Sequence, residues 1–202
     1  MALHIALTGG IACGKSMVER CFLEAGCRVL DADHIVHELE STGGAAVNAI
    51  VQSFGESVRA KDGGIDRVAL AKIVFVDTAA RQALENILFP MIETAVTQWL
   101  AQEEPDDISI FSAALLFECG WHHRWPHVVC VLASEETQLR RMMTHRHMTE
   151  ADARARLAAQ MPVTEKAKQS DFVITNDTDL IEPLKQQIQT LVTQWRMTSF
   201  NK

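Results

Sequence analysis

The 202-residue sequence predicts a three-layer α/β protein on a five-stranded parallel sheet, with a helical insertion and a helical cover. Three observations predict it. Short apolar runs alternate with stretches of helical periodicity, as parallel sheets require. An unusually long helical stretch separates the second run from the third, and the first run ends in a glycine-rich turn followed by Lys-Ser.

The runs that read as buried strands are Leu3 to Leu7, Arg28 to Leu30, Ile108 to Phe111, Val128 to Leu132 and Phe172 to Ile174. Between the second and third, Leu84, Ile87, Leu88, Met91, Ile92, Ala95 and Trp99 recur at helical spacing within Ala79 to Gln102, and Pro90 is expected to start or kink a helix there. That segment is too long for a simple crossover, so residues 34–106 form an inserted helical subdomain. The core then comprises residues 1–33, 107–137 and 169–202. Residues 138–168, rich in Arg, Lys, His and Met, form a mobile helical lid.

Composition narrows the function. With 48% apolar residues and mean hydropathy near zero, the chain can bury one sizeable core. A net charge of -7 argues against a nucleic-acid-binding protein. The five cysteines, Cys13, Cys21, Cys27, Cys119 and Cys130, show neither C-x-x-C pairing nor regular spacing, which fits a reducing cytoplasm better than a disulfide framework or a zinc site. No targeting segment is evident, and no apolar run approaches the ~20 residues that span a membrane. A soluble cytoplasmic protein is expected.

Gly9, Gly10, Ile11, Ala12, Cys13, Gly14, Lys15 and Ser16 satisfy G-x-x-x-x-G-K-[ST] between a strand and an amphipathic segment. In a phosphate-binding loop of this kind, glycines let backbone N–H groups surround a polyphosphate and the next helix presents its positive end. Lys15 reaches the terminal phosphates and Ser16 can ligate Mg²⁺. Cys13 is a small filler, a redox role being the alternative.

Asp31-Ala32-Asp33 ends the second strand, on the side where open α/β sheets bind ligands. Strand alternation points Asp31 and Asp33 the same way. Either could accept the proton of an attacking hydroxyl or help hold Mg²⁺, and the alternative for Asp33 is a helix cap. Glu118, in Leu115-Leu116-Phe117-Glu118-Cys119-Gly120, lies on the same side of the sheet and reads either as a ligand group or as an exposed strand-end carboxylate. Arg140, Arg141, Arg146, Arg154, Arg156 and Lys166 are either phosphate-facing cations of the cover or a solvated basic face. His122 and His123 lack a second cluster at metal-ligand spacing, and the four tryptophans read as packing.

"LTGGIACGKS", "DAD", "ALLFECG", "ETQLRRMM", "ARLAAQM" and "KAKQSDFVITN", in this order, resemble the dephospho-coenzyme A kinase family over nearly the whole chain, to about Asn176. The resemblance implies a P-loop NTPase core of nucleoside-kinase type, a helical domain for the acceptor and a lid. It implies transfer of the ATP γ-phosphoryl group to the ribose 3′-hydroxyl of dephospho-CoA, with Mg²⁺. ATP and dephospho-CoA are the expected partners, and a monomer is favoured. Residue by residue, it makes Gly10 to Ser16 the ATP loop and Asp33 the base. Glu118 becomes an acidic group on the acceptor side, Arg141 a lid arginine near the phosphates and Asn176 a residue near the nucleotide base. The family's usual Gly-Ser is Ala12-Cys13 here, its His-Pro is Phe89-Pro90, the proline before Leu-Leu-Phe-Glu is Ala114, and His145 replaces a second lid arginine. The alternatives are a small-molecule kinase for a nucleoside monophosphate or sugar, and a non-enzymatic nucleotide switch; for a guanine switch, Asn176-Asp177-Thr178-Asp179 lacks the required lysine.

Overall fold

A computed structural model describes residues 2–199. Five strands, β1 (Leu3–Gly9), β2 (Arg28–Asp31), β3 (Ile108–Ser112), β4 (His127–Leu132) and β5 (Phe172–Thr175), form one sheet in the order β2-β3-β1-β4-β5. β1 pairs in parallel with β3 and β4, and β4 with β5. Because β1 is flanked on both sides, its carboxyl end lies where the strand order reverses, the place where such sheets bind ligands.

Alternation along β1 assigns the two faces. Ile5 and Leu7 join Ile108, Ile110, Val129 and Val131 in one apolar layer, covered by Val18 and Phe22 of α1 (Lys15–Glu24) and by Leu184, Ile188 and Trp195 of α9 (Ile181–Ser199). Phe22 and Trp195 stack there at 5.9 Å. On the other face, Phe111 stacks against Trp125 at 4.9 Å and Trp121 at 5.7 Å, so these tryptophans pack as expected. β1 and β3 keep one register, Leu7 beside Ser112, which puts the Ser112 side chain on the α1 face.

The residues 138–168 expected to form a cover fall in α6 (Glu135–Arg146), α7 (Glu150–Ala158) and α8 (Val163–Lys168). α8 is part of the packed body: Val163 is in the core cluster and Lys166 is wholly buried. Its Nζ donates to the Ala114 carbonyl at 2.7 Å and pairs with Glu118 at 2.8 Å. Lys166 is therefore not one of the cover's solvent-facing cations; Arg154 and Arg156, on α7, are exposed.

The chain divides into two compact units, one made of the residues up to Leu30 and from Glu103 onward, the other of Asp31–Gln102. The second holds α2 (Ala32–Glu40), α3 (Val47–Phe54), α4 (Arg67–Val74) and α5 (Thr78–Leu100). Ile50, Val51, Val58, Leu70, Leu88 and Ile92 are among its buried apolar side chains. Glu40, also buried, pairs with Arg67 at 2.8 Å, while the Glu40 carbonyl accepts from the Ile65 N–H at 2.8 Å.

Pro90 does not start α5. Asp77 does, its carboxylate accepting from the N–H groups of Ala79 at 2.8 Å and Ala80 at 3.2 Å. Pro90 lies in the interior of a 23-residue helix, where it is exposed and removes one main-chain donor.

Candidate active site

The loop between β1 and α1 is held from outside by three side chains. The carbonyls of the consecutive residues Ile11, Ala12 and Cys13 accept, respectively, from Gln138 Nε2 at 2.6 Å, an Arg141 guanidinium nitrogen at 3.3 Å and Asn176 Nδ2 at 2.8 Å. A trans peptide directs its N–H opposite to its carbonyl, so these outward-drawn carbonyls turn the N–H groups of Ala12, Cys13 and Gly14 inward, where that of Cys13 donates to the Gly10 carbonyl at 3.2 Å. Gln160 accepts from the Ile11 N–H at 3.2 Å, fixing the preceding peptide, Gly10–Ile11, as well.

Two residues give the loop its curvature. Gly14, the N-cap of α1, has φ +88° and lies so close to the Asn176 amide that no side chain fits. Ala12 has φ +58°, a left-handed conformation that costs an L-residue with a Cβ roughly 1–2 kcal/mol. No side chain caps the N-terminus of α1, so its first N–H groups are left to an anionic ligand.

Lys15 is half-buried at the start of α1. Its ammonium donates to Glu19 Oε1 at 2.8 Å and to Ser112 Oγ at 2.9 Å, and the Ser112 hydroxyl also donates to Glu19. Glu19 is itself buried, 8% exposed. Sequence reasoning missed Glu19 and Ser112. The available signal was an acid four residues after the loop lysine, one helical turn on and hence on the same face. Ser16 is exposed beside Lys15.

Cys13 is fully buried, and burial pushes its thiol up to about 11. A thiol so far from ionisation is a filler, not a redox group.

Arg141 joins the loop to the segment after β5: besides Ala12 it donates to the Thr178 carbonyl at 2.8 Å and approaches Asp179 at 3.4 Å. Arg140 holds Asp179 with two bonds, 2.7 and 3.0 Å, and this pairing keeps the Asp179 carboxyl below its usual range. A cavity of about 510 Å³ opens here, lined among others by Gly14, Met17, Arg141, Asn176, Thr178 and Leu180. Asn176 thus sits at the edge of this cavity, with its amide committed to the loop.

The structure brings together the loop, Arg141 and Asn176. Glu118 meets the loop only through other residues: its Oε1 accepts from the Met161 N–H at 3.1 Å and pairs with Lys166, bracing the segment before α8, and Met161 lines a cavity of about 650 Å³ with Gly10 and Ile11. Asp33 belongs to the other unit. The strand alternation on which the expectation for Asp31 and Asp33 rests does not apply, because β2 ends at Asp31 and Ala32 already starts a helix. Asp31 is the cap of α2, accepting from the Asp33 N–H at 3.1 Å, and Asp33 stands exposed in its first turn. His122 and His123 lie ring to ring, 3.8 Å apart, in a short 3-10 turn, and among the described residues no group of three His, Cys, Asp or Glu side chains could hold a metal.

The dephospho-CoA kinase family model matches residues 3–182. A Geobacter sulfurreducens dephospho-CoA kinase is 42% identical over 175 residues, covering 86% of this chain and 89% of that one. A crystal structure of a Thermus thermophilus protein superposes with a TM-score of 0.83 at 30% identity, over 96% of this chain and 97% of the other. The dephospho-CoA kinase of Campylobacter jejuni shares the fold, with a TM-score of 0.61 at 24% identity over 96% and 97% of the two chains. A glycine-rich loop with outward-drawn carbonyls, at the reversal point of a parallel sheet, is thus found in a sequence similar over nearly its full length to these relatives, and the chain belongs to the dephospho-CoA kinase family.

Proposed function

We propose that this chain transfers the γ-phosphoryl group of ATP to the ribose 3′-hydroxyl of dephospho-CoA, giving coenzyme A and ADP. The observation that carries the reading is the row of three loop carbonyls fixed outward by Gln138, Arg141 and Asn176, which presets the N–H groups of Ala12 and Gly14 for a polyphosphate. The loop backbone from Gly10 through Ser16 binds the phosphates, aided by the uncapped end of α1. Lys15 neutralises charge on the terminal phosphates. Arg141, anchored between Ala12 and Thr178, adds a fixed positive charge beside them, and the cavity next to Asn176 takes the nucleoside.

Asp33 orients the acceptor hydroxyl and takes its proton as the new bond to phosphorus forms. Its exposed position in the first turn of α2, one residue past the Asp31 cap, suits that role. Glu118 serves the acceptor side by bracing the Met161 segment. Mg²⁺ prefers hard oxygen donors and keeps several waters. The exposed Ser16 hydroxyl, at the start of α1 beside Lys15, fits that preference. Bound there, the ion would neutralise charge building on the phosphate oxygens. All five cysteines are free thiols and no described helix is long and apolar enough to cross a membrane, which supports a cytoplasmic enzyme.

A coupled assay for ADP release tests the reading. Release is expected with ATP and dephospho-CoA and to be weak with ATP alone. Turnover of a nucleoside monophosphate or a sugar in preference to dephospho-CoA would overturn the acceptor assignment.

A further inference from the structure

Lys15 is the one phosphate-binding side chain of the loop whose ammonium the structure shows already engaged by a buried carboxylate and a hydroxyl. Glu19 reaches it from one turn along α1, and Ser112 from the end of β3. The Ser112 hydroxyl in turn binds Glu19, so all three groups are mutually bonded. The Lys15 and Glu19 side chains are each only 11% exposed. In such surroundings a charge pair is screened little by solvent, and its partners constrain each other's position.

We infer that Glu19, acting with Ser112, is the positioning residue for Lys15, and that its carboxylate competes with bound polyphosphate for the lysine ammonium. This rests on the reading of the loop as an ATP site. The competition has a defined sign. Glu19 is negative and stands against the group that must meet the negative phosphates, so removing its charge strengthens the loop's hold on them. Removing it also releases Lys15 from a fixed direction, so the ammonium meets the transferring group less often in the productive geometry. Affinity and turnover therefore move in opposite senses. Simple loss of packing would lower both.

Glu19→Gln preserves size and can still bind the Ser112 hydroxyl, but carries no charge. Titration of the folded variant with inorganic tripolyphosphate and with metal-free ATP is expected to show binding roughly tenfold tighter than wild type, with kcat for phosphoryl transfer down by about tenfold. Glu19→Asp, which keeps the charge but withdraws it by one methylene, is expected to leave ATP affinity within about twofold and still lower kcat by severalfold. It also decides the matter if the Gln variant does not fold. Unchanged or weaker tripolyphosphate binding by folded Glu19→Gln, or an unchanged kcat in Glu19→Asp, would overturn the proposal. Failure of the wild-type protein to bind either polyphosphate would instead overturn the ATP-site reading itself.

Discussion

The Asn176 amide lies against Gly14 and donates to the Cys13 carbonyl at 2.8 Å, so one buried side chain both shapes the turn and excludes a Cβ from it. An asparagine committed to the loop affects every ligand of that loop. Asn176→Ala removes a buried hydrogen bond, typically worth about 1 kcal/mol, and is expected to weaken binding of ATP and of inorganic tripolyphosphate alike, by roughly fivefold to tenfold. Calorimetry with both ligands checks this. A loss confined to ATP would place Asn176's role at the base.

Ala12 holds the loop in a left-handed conformation at φ +58°. Ala12→Gly relieves that strain but adds freedom to the unfolded chain, and the two effects partly offset. A net gain of roughly 0.5–1 kcal/mol is expected, seen as a melting temperature a few degrees higher. Unchanged or lower stability would show that neighbouring contacts already favour alanine.

Glu40 supplies a pH test. Burial raises its carboxyl above the usual value, with the Arg67 pair opposing. A raised pKa means that the folded state holds the proton more tightly, so stability is greatest below the unfolded pKa and declines as pH rises through the folded one. Relative to wild type, Glu40→Gln is expected to lack that decline. Melting curves taken from pH 4 upward check it: the difference between the two proteins should shift in favour of Glu40→Gln as pH rises from about 4.5. A constant difference would mean that Arg67 fully compensates the burial.

Much of this architecture was legible in the sequence, because it is written in short-range signals. The apolar runs place all five strands to within two residues at each end, and the loop motif needs only its own eight residues and their flanks. What escaped depends on partners distant in sequence. Ser112 and Glu19 lie 93 positions apart, and Asn176 meets Cys13 across 163. Lys166 misled because a lysine beside other basic residues reads as solvated, whereas Ala114 and Glu118 make its burial possible. The alternation read across Asp31 and Asp33 lapses for a local reason: the strand-to-helix change falls between them, so a period of two no longer applies.

Asp33 carries the last prediction. A ribose hydroxyl is a poor nucleophile while it keeps its proton, and a carboxylate that accepts the proton is typically worth ~10²–10⁴ in rate. Asp33→Asn nearly preserves size but cannot take the proton. It also keeps the cap of α2, because there the Asp31 carboxylate accepts from the main-chain N–H of residue 33. Turnover is therefore expected to fall by about 10²–10⁴ with little change in ATP affinity or melting temperature. Lys15→Ala is the contrast, since a lysine acting on phosphate charge should lose ATP affinity and turnover together. If Asp33→Asn kept wild-type turnover, proton acceptance would belong to another group and Asp33 would be assigned no part in the chemistry.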